Sequence, residues 1–274
     1  MKSKSFKALL SSDWNECLAP CGPFDYIAFT YPKLKPHLDG IFKHYTGNRI
    51  TLTDAAQQVK TLLPEPVSAA QMDAYLDESF TTYTGVPELI EWCASNSILF
   101  MINTTGMIGY FQRILAKGLL PPVPVVSAHP MISYPQKSSG SCRVYELLET
   151  SDKSKNTGKV ASSQAITAAK IILLGDSGGD GPHFQWGAAA GAYLIGSMTK
   201  PSLYAYCRKK EIEIDLRFGL DYSRREKRNP QEESQVNFMA LTTTIKEIVN
   251  RRLSVMNNEV FSEYSKRGPD LCHR

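Results

Sequence analysis

Apolar residues along this chain gather in short runs that end in polar or glycine-containing turns. "FKALLSS" (6–12) leads to Asp13, "SILFMIN" (97–103) leads to "TTG", and "AKIILLG" (169–175) leads to "DSGGD". Each run is too short for a typical helix and is rich in Ile, Leu or Phe. That is the pattern of a strand buried on both faces of a parallel sheet. "VPVVSA" (123–128) and "AAGAYLIGS" (189–197) are two further strand candidates. Between the runs the spacing turns helical. "GVPELIEWCASN" (85–96) has Pro87 near its start and Asn96 at its end. "GMIGYFQRILAKGLL" (106–120) places Ile108, Phe111, Ile114 and Leu115 on one face before Gly118. Alternating strands and helices from 85 to 197 predict an α/β fold. Its sheet should be mostly parallel, with functional residues at the carboxyl ends of the strands.

The interval between Asp13 and Gly85 breaks this grammar with three helical stretches, "LKPHLDGIFKHYT", "TLTDAAQQVKTLL" and "SAAQMDAYLDESFTTY". Thr51 or Thr53 can cap the second and Ser68 the third. A helical insert after the first strand can lie over the carboxyl end of a sheet, exclude water and read a substrate. The expected division is therefore a core of 1–18 and 85–222, a helical cap of 19–84, and a C-terminal extension of 223–274. In the extension, "DYSRREKRNPQEESQ" reads as a polar loop. "VNFMALTTTIKEIVNRRLSVM" reads as a helix packed on the core or on a partner subunit, the latter giving a homodimer.

Composition narrows the classes. With 274 residues, 42% of them hydrophobic, the chain can bury a sizeable core. Its net charge of +4 is not carried by any long basic stripe, so no nucleic-acid partner is expected. "SRREKR" (223–228) reads as a solvated loop. Cysteines at 17, 21, 93, 142, 207 and 272 form no repeated CxxC pair, and Cys17 and Cys21 lack a nearby histidine. Reduced thiols in a cytoplasmic protein are the expectation, rather than a zinc site or disulfides. The amino terminus lacks the apolar stretch of a signal peptide. No run approaches 18 apolar residues, so no membrane partner is expected.

Candidate chemistry sits in "IILLGDSGGDGPHF" (171–184), where a buried strand enters a turn with two carboxylates, Asp176 and Asp180, at its mouth. Taken alone, this could be an ordinary Asx-type turn at a helix start. Hard oxygen ligands of this kind also suit Mg²⁺. Asp13 ends the first run, and Thr104 and Thr105 follow the second, so neighbouring parallel strands would gather these groups in one cleft. A carboxylate nucleophile, a hydroxyl, a cationic group and a divalent ion are what phosphoryl transfer requires.

On these motifs, over roughly residues 7–220, the chain resembles the haloacid dehalogenase (HAD) superfamily and its phosphoserine-phosphatase-like branch. There is a further likeness to the 2-hydroxy-3-keto-5-methylthiopentenyl-1-phosphate phosphatase group. The superfamily's Asp-x-Asp-x-(Thr/Val) motif maps onto Asp13-Trp14-Asn15-Glu16-Cys17, its Ser/Thr motif onto Thr104, and its GDxxxD motif onto Asp176 and Asp180. "SLYAYCRKKEIEIDLRF" (202–218) is similar to its region after the last core strands. The resemblance implies a three-layer α/β/α sandwich with a helical cap inserted after the first strand. It makes Asp13 the nucleophile and a Mg²⁺ ligand, with the Asn15 carbonyl, Asp176 and Asp180 completing the metal set. It also requires a lysine upstream of GDxxxD. Lys159 in "TGKVASSQ" fits best, with Lys155 and Lys153 as alternatives, and it would hold phosphoryl oxygens together with Thr104.

The departures are at residues 15 and 17. In the family the second aspartate protonates the leaving group and then activates water. An amide can orient a group but cannot shuttle a proton. General acid–base help is worth roughly 10²–10⁴-fold, so alkyl phosphates should turn over slowly unless another group substitutes. Glu16 and His183 are nearby, though a solvated glutamate and a packing histidine are the simpler readings. Cys17 reads as a small buried side chain, and Trp14 as a residue of either the core or the leaving-group site. His37, His44 and His129, not at metal-ligand spacing, read as surface or cap-lining groups. Tyr26, Phe29 and Tyr31 would begin the lid or pack on it. The leading expectation is a Mg²⁺-dependent phosphomonoester hydrolase working through an aspartyl-phosphate on a small phosphorylated metabolite. The alternatives are a silent module that binds a phospho-ligand or protein, and a dehalogenase or phosphonate-cleaving hydrolase.

Overall fold

Strand β1 (Ala8–Ser12) is buried along its whole length and paired on both edges, which places it at the centre of a sheet. The computed structural model describes residues 5–47, 49–135, 142–222 and 228–250. One edge of β1 pairs with β2 (Ile98–Met107), followed outward by β3 (Val125–His129) and β4 (Arg143–Glu146). The other pairs with β5 (Ile171–Gly175), then β6 (Tyr193–Ser197) and β7 (Leu216–Phe218). Every pairing among the described residues is parallel.

Alternation across the pleat divides the apolar runs between two cores. Leu10, Phe100, Ile102, Ile172 and Leu174 face one side, and Leu9, Leu99, Met101, Ile171 and Leu173 the other. The first side is covered by α5 (Val86–Ser95) and α6 (Ile108–Ala116), the second by α7 (Asp152–Ser163), α8 (Gly181–Ala190) and α9 (Pro201–Lys209). The result is a three-layer α/β/α sandwich, as the strand pattern implies.

The strand boundaries depart from the sequence pattern in instructive places. The run at 189–197 is split: α8 ends at Ala190, and Gly191 takes a left-handed conformation (φ 79°) before β6 begins at Tyr193. Edge strands β4 and β7 are short, and most of their residues are exposed or half-buried. They carry no apolar run, so hydrophobic patterning could not reveal them.

Between β1 and β2 lie α1 (Asp25–Thr30), α2 (Lys35–Thr46), α3 (Leu52–Leu62) and α4 (Ala69–Ser79). Thr51 and Ser68 each build a reciprocal capping box, with Asp54 and Gln71 respectively. Thr53 instead contacts the carbonyl of Leu148. Two of the contacts that fasten the insert to the core are ionic or charge-assisted and bear on its helices. Arg113 makes a two-pronged ion pair with Asp73 (2.7 and 2.8 Å). The Glu149 carboxylate accepts from Leu52 N–H (3.2 Å) and Thr53 N–H (3.1 Å), at the positive end of α3.

After β7 the described chain resumes with α10 (Pro230–Glu233), and residues 241–250 are helical. Most of the expected loop at 223–228, and the end of the terminal helix beyond 250, lie outside the described residues. Phe238 is fully buried, stacked on Tyr83 (5.8 Å) and edge-on to Phe218 (4.9 Å). Lys246 lies over the Trp92 ring of α5. No described helix is long and apolar enough to cross a membrane. Phe238→Ala is expected to lower stability by about 3–5 kcal/mol, as for other buried aromatic truncations. Urea unfolding would measure it, and a loss under about 1 kcal/mol would show that residues 228–250 lie outside the cooperative core.

Candidate active site

Beside β1 the order of connection reverses, with β2 on one edge and β5 on the other, so a crevice opens at their carboxyl ends. Asp13 follows β1, its N–H bonded to the Leu174 carbonyl (2.9 Å), and Asp176 follows β5. The turn at 177–180 folds Asp180 back, so that its Oδ2 accepts from the N–H groups of Asp176 (2.9 Å) and Ser177 (3.2 Å). A Cβ at position 175 would lie 2.7 Å from the Asp180 side chain, so only glycine permits this closure. Carboxylate oxygens of Asp13, Asp176 and Asp180 all fall within 4.8 Å of one another, and all three residues are buried.

Two lysines meet these aspartates, and neither is Lys159. Lys153 Nζ lies 2.6 Å from Asp180 and 3.2 Å from Asp13, with only 1% of its side chain exposed. The preference for Lys159 is thus corrected by helix geometry. Positions 153, 156, 157, 160 and 161 form the buried face of α7, whereas Lys159 points to solvent and Lys155 pairs with Asp152. That face is polar at its first three positions, so apolar periodicity hides it. Asn156 bonds Ser127 and the Glu146 carbonyl (both 2.9 Å), and Asn103 bonds the Lys153 carbonyl and Thr157 (both 2.9 Å). These bonds lock the helix so that Lys153 reaches the cluster.

The second lysine, Lys200, was not anticipated. Its Nζ is 2.6 Å from Asp176 Oδ2, and its backbone N–H donates to the Asp176 carbonyl (2.8 Å). The available signal was its place just after the run that forms β6. Lys200 also pairs with Glu16, whose other oxygen is 2.9 Å from Arg228 Nη1. Arg228 in turn holds Glu233 (2.7 Å) and Tyr83 (2.6 Å). Glu16 is therefore not a solvated side chain, nor is Arg228 part of a solvated loop. Glu16 adopts φ 58°, a left-handed conformation that costs a non-glycine residue about 1–2 kcal/mol. Its two cationic partners hold it there.

Burial dominates the electrostatics. It raises the Asp13 pKa, with Lys153 opposing, and pushes Asp176 up to about 8 despite Lys200. Burial acts on Asp180 too, but Lys153 and the two N–H groups win and hold it below the usual carboxylate range. A divalent ion fits this donor set. The oxygens are hard, the three aspartates outnumber the two lysines touching them, and Asp176 Oδ1 is buried without a hydrogen bond among the described residues.

Asn15 is a clasp. Its Nδ2 donates to the Cys21 carbonyl (3.3 Å), and its Oδ1 accepts from the Thr104 hydroxyl (3.2 Å). An ionised aspartate lacks the donor and would set an oxygen against the Cys21 carbonyl. Thr104 is fully buried at this clasp and also reaches Asp13, while Thr105 lines the cleft. Phe42, Tyr45 and Thr46 of α2 close the cleft from above, leaving about 10 Å³, the room of one water. The wider groove of about 600 Å³ beside His37 and His44, between α2 and α3, carries none of the carboxylates.

The remaining candidates resolve as structure. Trp14 is fully buried, edge-on to Phe111 (5.5 Å), and Cys17 is a buried small side chain. Tyr26 and Phe29 pack with Tyr75, and Tyr31 donates to the Glu65 carbonyl. His129 is buried at the end of β3, not on the surface, and its Nδ1 accepts from Met131 N–H. His183 is buried under the cluster, bonded to Thr157 (3.0 Å) and stacked on Trp186.

No protein-family model and no curated protein sequence matches this chain. Solved structures match its fold. A phosphoserine phosphatase as a phospho-aspartyl intermediate analogue is 14% identical, covering 87% of this chain and 99% of its own, with a TM-score of 0.61. A substrate-bound phosphoserine phosphatase is 16% identical, with coverages of 89% and 99% and a TM-score of 0.62. A HAD family hydrolase from Salmonella enterica serovar Typhi is 14% identical, with coverages of 88% and 72% and a TM-score of 0.60. At these identities the likeness is one of fold, a HAD-like Rossmannoid core with helical insertions.

Burial, and then the Lys153 charge, lower the His183 pKa to about 3, so the folded protein holds this imidazole neutral. The unfolded chain, with an ordinary histidine pKa of about 6.5, takes up a proton first as pH falls. The His183 contribution is therefore intact above about pH 6.5 and is lost progressively toward pH 3, by about 3 kcal/mol at pH 4. His183→Gln should flatten the fall in stability between pH 6.5 and 4, measured by denaturant titration at each pH. Parallel curves for the two proteins would refute the burial of a neutral imidazole.

Proposed function

We propose that the chain is a Mg²⁺-dependent phosphomonoester hydrolase that acts on a small phosphorylated metabolite through an aspartyl-phosphate on Asp13. One observation supports this above the others. Lys153 spans Asp13 and Asp180 beside Asp176, in a water-poor cleft at the sheet's switch point. That is a nucleophile, a fixed cation and a hard-oxygen metal set in one place. The comparable folds of two phosphoserine phosphatases and a HAD family hydrolase support the same reading.

In this reading Asp13 attacks phosphorus. Its Oδ1 is fixed by the Trp14 N–H (2.8 Å) and faces Lys153, which holds the carboxylate charge against the effect of burial. A divalent ion held by Asp13, Asp176, Asp180 and the Asn15 carbonyl supplies charge neutralisation at the nonbridging oxygens. Thr105 and Lys153 line the cleft and bind those oxygens as they reorganise, while Thr104 orients Asp13 through the Asn15 clasp. Lys200, braced by Glu16, opposes the effect of burial on the Asp176 carboxylate. The helical insert 19–84 acts as the cap, and α2 must lift to admit a phosphomonoester. A metal-independent dehalogenase would have no use for three clustered aspartates.

Purified protein with Mg²⁺ is expected to hydrolyse aryl phosphates, and chelation to stop it. Asp13→Asn should abolish turnover, Lys153→Met should reduce it by roughly 10²–10³-fold, and Lys159→Met should leave it unchanged. Persistent turnover by the Asp13 variant would sink the nucleophile assignment. Equal effects of the two lysine variants would sink the choice of Lys153. A beryllium fluoride complex should carry its adduct on Asp13 and on no other carboxylate.

A further inference from the structure

The hydrolysis proposed above leaves one proton without a carrier, because Asn15 cannot release one and its amide is already committed to Cys21 and Thr104. The cap presents an unengaged donor at that place. Tyr45, in the last turn of α2, is 5% exposed, and its buried hydroxyl meets the Thr105 side chain but has no acceptor for its own proton among the described residues. It lines the cleft together with Asp13, Asn15 and Lys153. A Cβ at position 179 would approach the hydroxyl to 3.1 Å, so the glycine turn between the two acidic residues leaves the phenol room. A buried donor without an acceptor costs about 1–3 kcal/mol, and phenylalanine would fill the same volume without that cost. Phe42, on the same helix, shows that an aromatic ring alone serves as a wall of this cleft.

Three other donors that close the cleft are engaged. The Thr46 hydroxyl donates to the Phe42 carbonyl (2.8 Å), and Lys153 and Lys200 are tied to carboxylates. A phenol is also a stronger acid than a threonine or serine hydroxyl. Burial pushes its pKa up and Lys153 draws it back, so the proton is retained until an alkoxide, a stronger base, develops beside it. Direction agrees as well. In-line displacement by Asp13 puts the departing oxygen on the far side of phosphorus, toward the cap.

Resting on the phosphatase reading, we infer that Tyr45 is the catalytic residue that protonates the leaving-group oxygen, in place of the acid that Asn15 lacks. In the first step a bond forms between an Asp13 oxygen and phosphorus, and the ester P–O bond breaks. The departing oxygen keeps that electron pair and takes the Tyr45 proton, which leaves a phenolate near Lys153. In the second step water attacks the aspartyl-phosphate phosphorus, the Asp13–phosphorus bond breaks, and the phenolate takes the water proton. One water is consumed, an alcohol and inorganic phosphate are released, and Tyr45 and Asp13 return to their starting states.

The test is a turnover series on phosphomonoesters of rising leaving-group basicity, from dinitrophenyl through phenyl to alkyl phosphates, for native protein and Tyr45→Phe. Tyr45→Phe should lower turnover of dinitrophenyl phosphate least, since that leaving group needs no proton, and reduce kcat for alkyl phosphates most, by roughly 10²–10⁴-fold. Its dependence on leaving-group basicity should be correspondingly steeper. Losses equal across the series would overturn the inference, since the tyrosine would then serve folding or phosphate binding. Unchanged turnover throughout would also overturn it, leaving Tyr45 as a plug of the empty cleft. Both of those outcomes keep the phosphatase reading, because native protein still turns over. Native protein inert toward every ester, dinitrophenyl phosphate included, would instead sink that reading and the tyrosine assignment together.

Discussion

Three carboxylates buried at the ends of two adjacent strands repel one another, and much of the surrounding structure is organised by that repulsion. Asp13, Asp176 and Asp180 cannot all be ionised in a dry crevice without compensation. Lys153 meets two of them from α7, and Lys200 meets the third from the loop after β6. Each lysine is placed by structure well below the cleft. A layer of Asn103, Ser11, Thr157 and His183 fixes α7, and the parallel pairing of β5 with β6 fixes the approach of Lys200. The compensation is incomplete, which is why burial still raises Asp13 and Asp176 and why a divalent ion suits the site.

The charge pattern continues outward. Asp176, Lys200, Glu16, Arg228 and Glu233 alternate in sign from the crevice to the C-terminal segment. Because Arg228 also contacts Tyr83 and the Glu16 carbonyl, this segment is joined electrically to the loop that carries the proposed nucleophile. Glu16 bears the conformational strain of the arrangement, and the stacking of Phe238 on Tyr83 holds the other end. The segment after 228 is thus part of the site's support.

Asparagine at position 15 acquires a positive role. Its amide joins the loop after β1 to β2 and to the entry of the helical insert, using a donor that aspartate lacks. In the proposed hydrolysis the consequence is a missing proton, and the helical insert brings Tyr45 to the cleft where that proposal needs one. Structural clasp and proposed proton source are thereby divided between the loop after β1 and the helical insert.

The amino-acid sequence by itself determined the strand-and-helix framework, because fully buried strands must be apolar runs and capped helices carry Thr51 and Ser68 at fixed places. It also singled out Asp13, Asp176 and Asp180, since turns at the ends of such runs expose few other titratable groups. Tertiary structure alone decided which lysine meets them. The buried face of α7 is polar, so no hydrophobic periodicity distinguishes Lys153 from Lys159. The same holds for Lys200, Arg228 and Tyr45, each brought to the crevice from a distant stretch of chain. Short edge strands β4 and β7 were hidden for a related reason, as exposed strands need no apolar run. Local pattern records what a residue must bury. Charge pairing across the sheet depends on where the fold carries it.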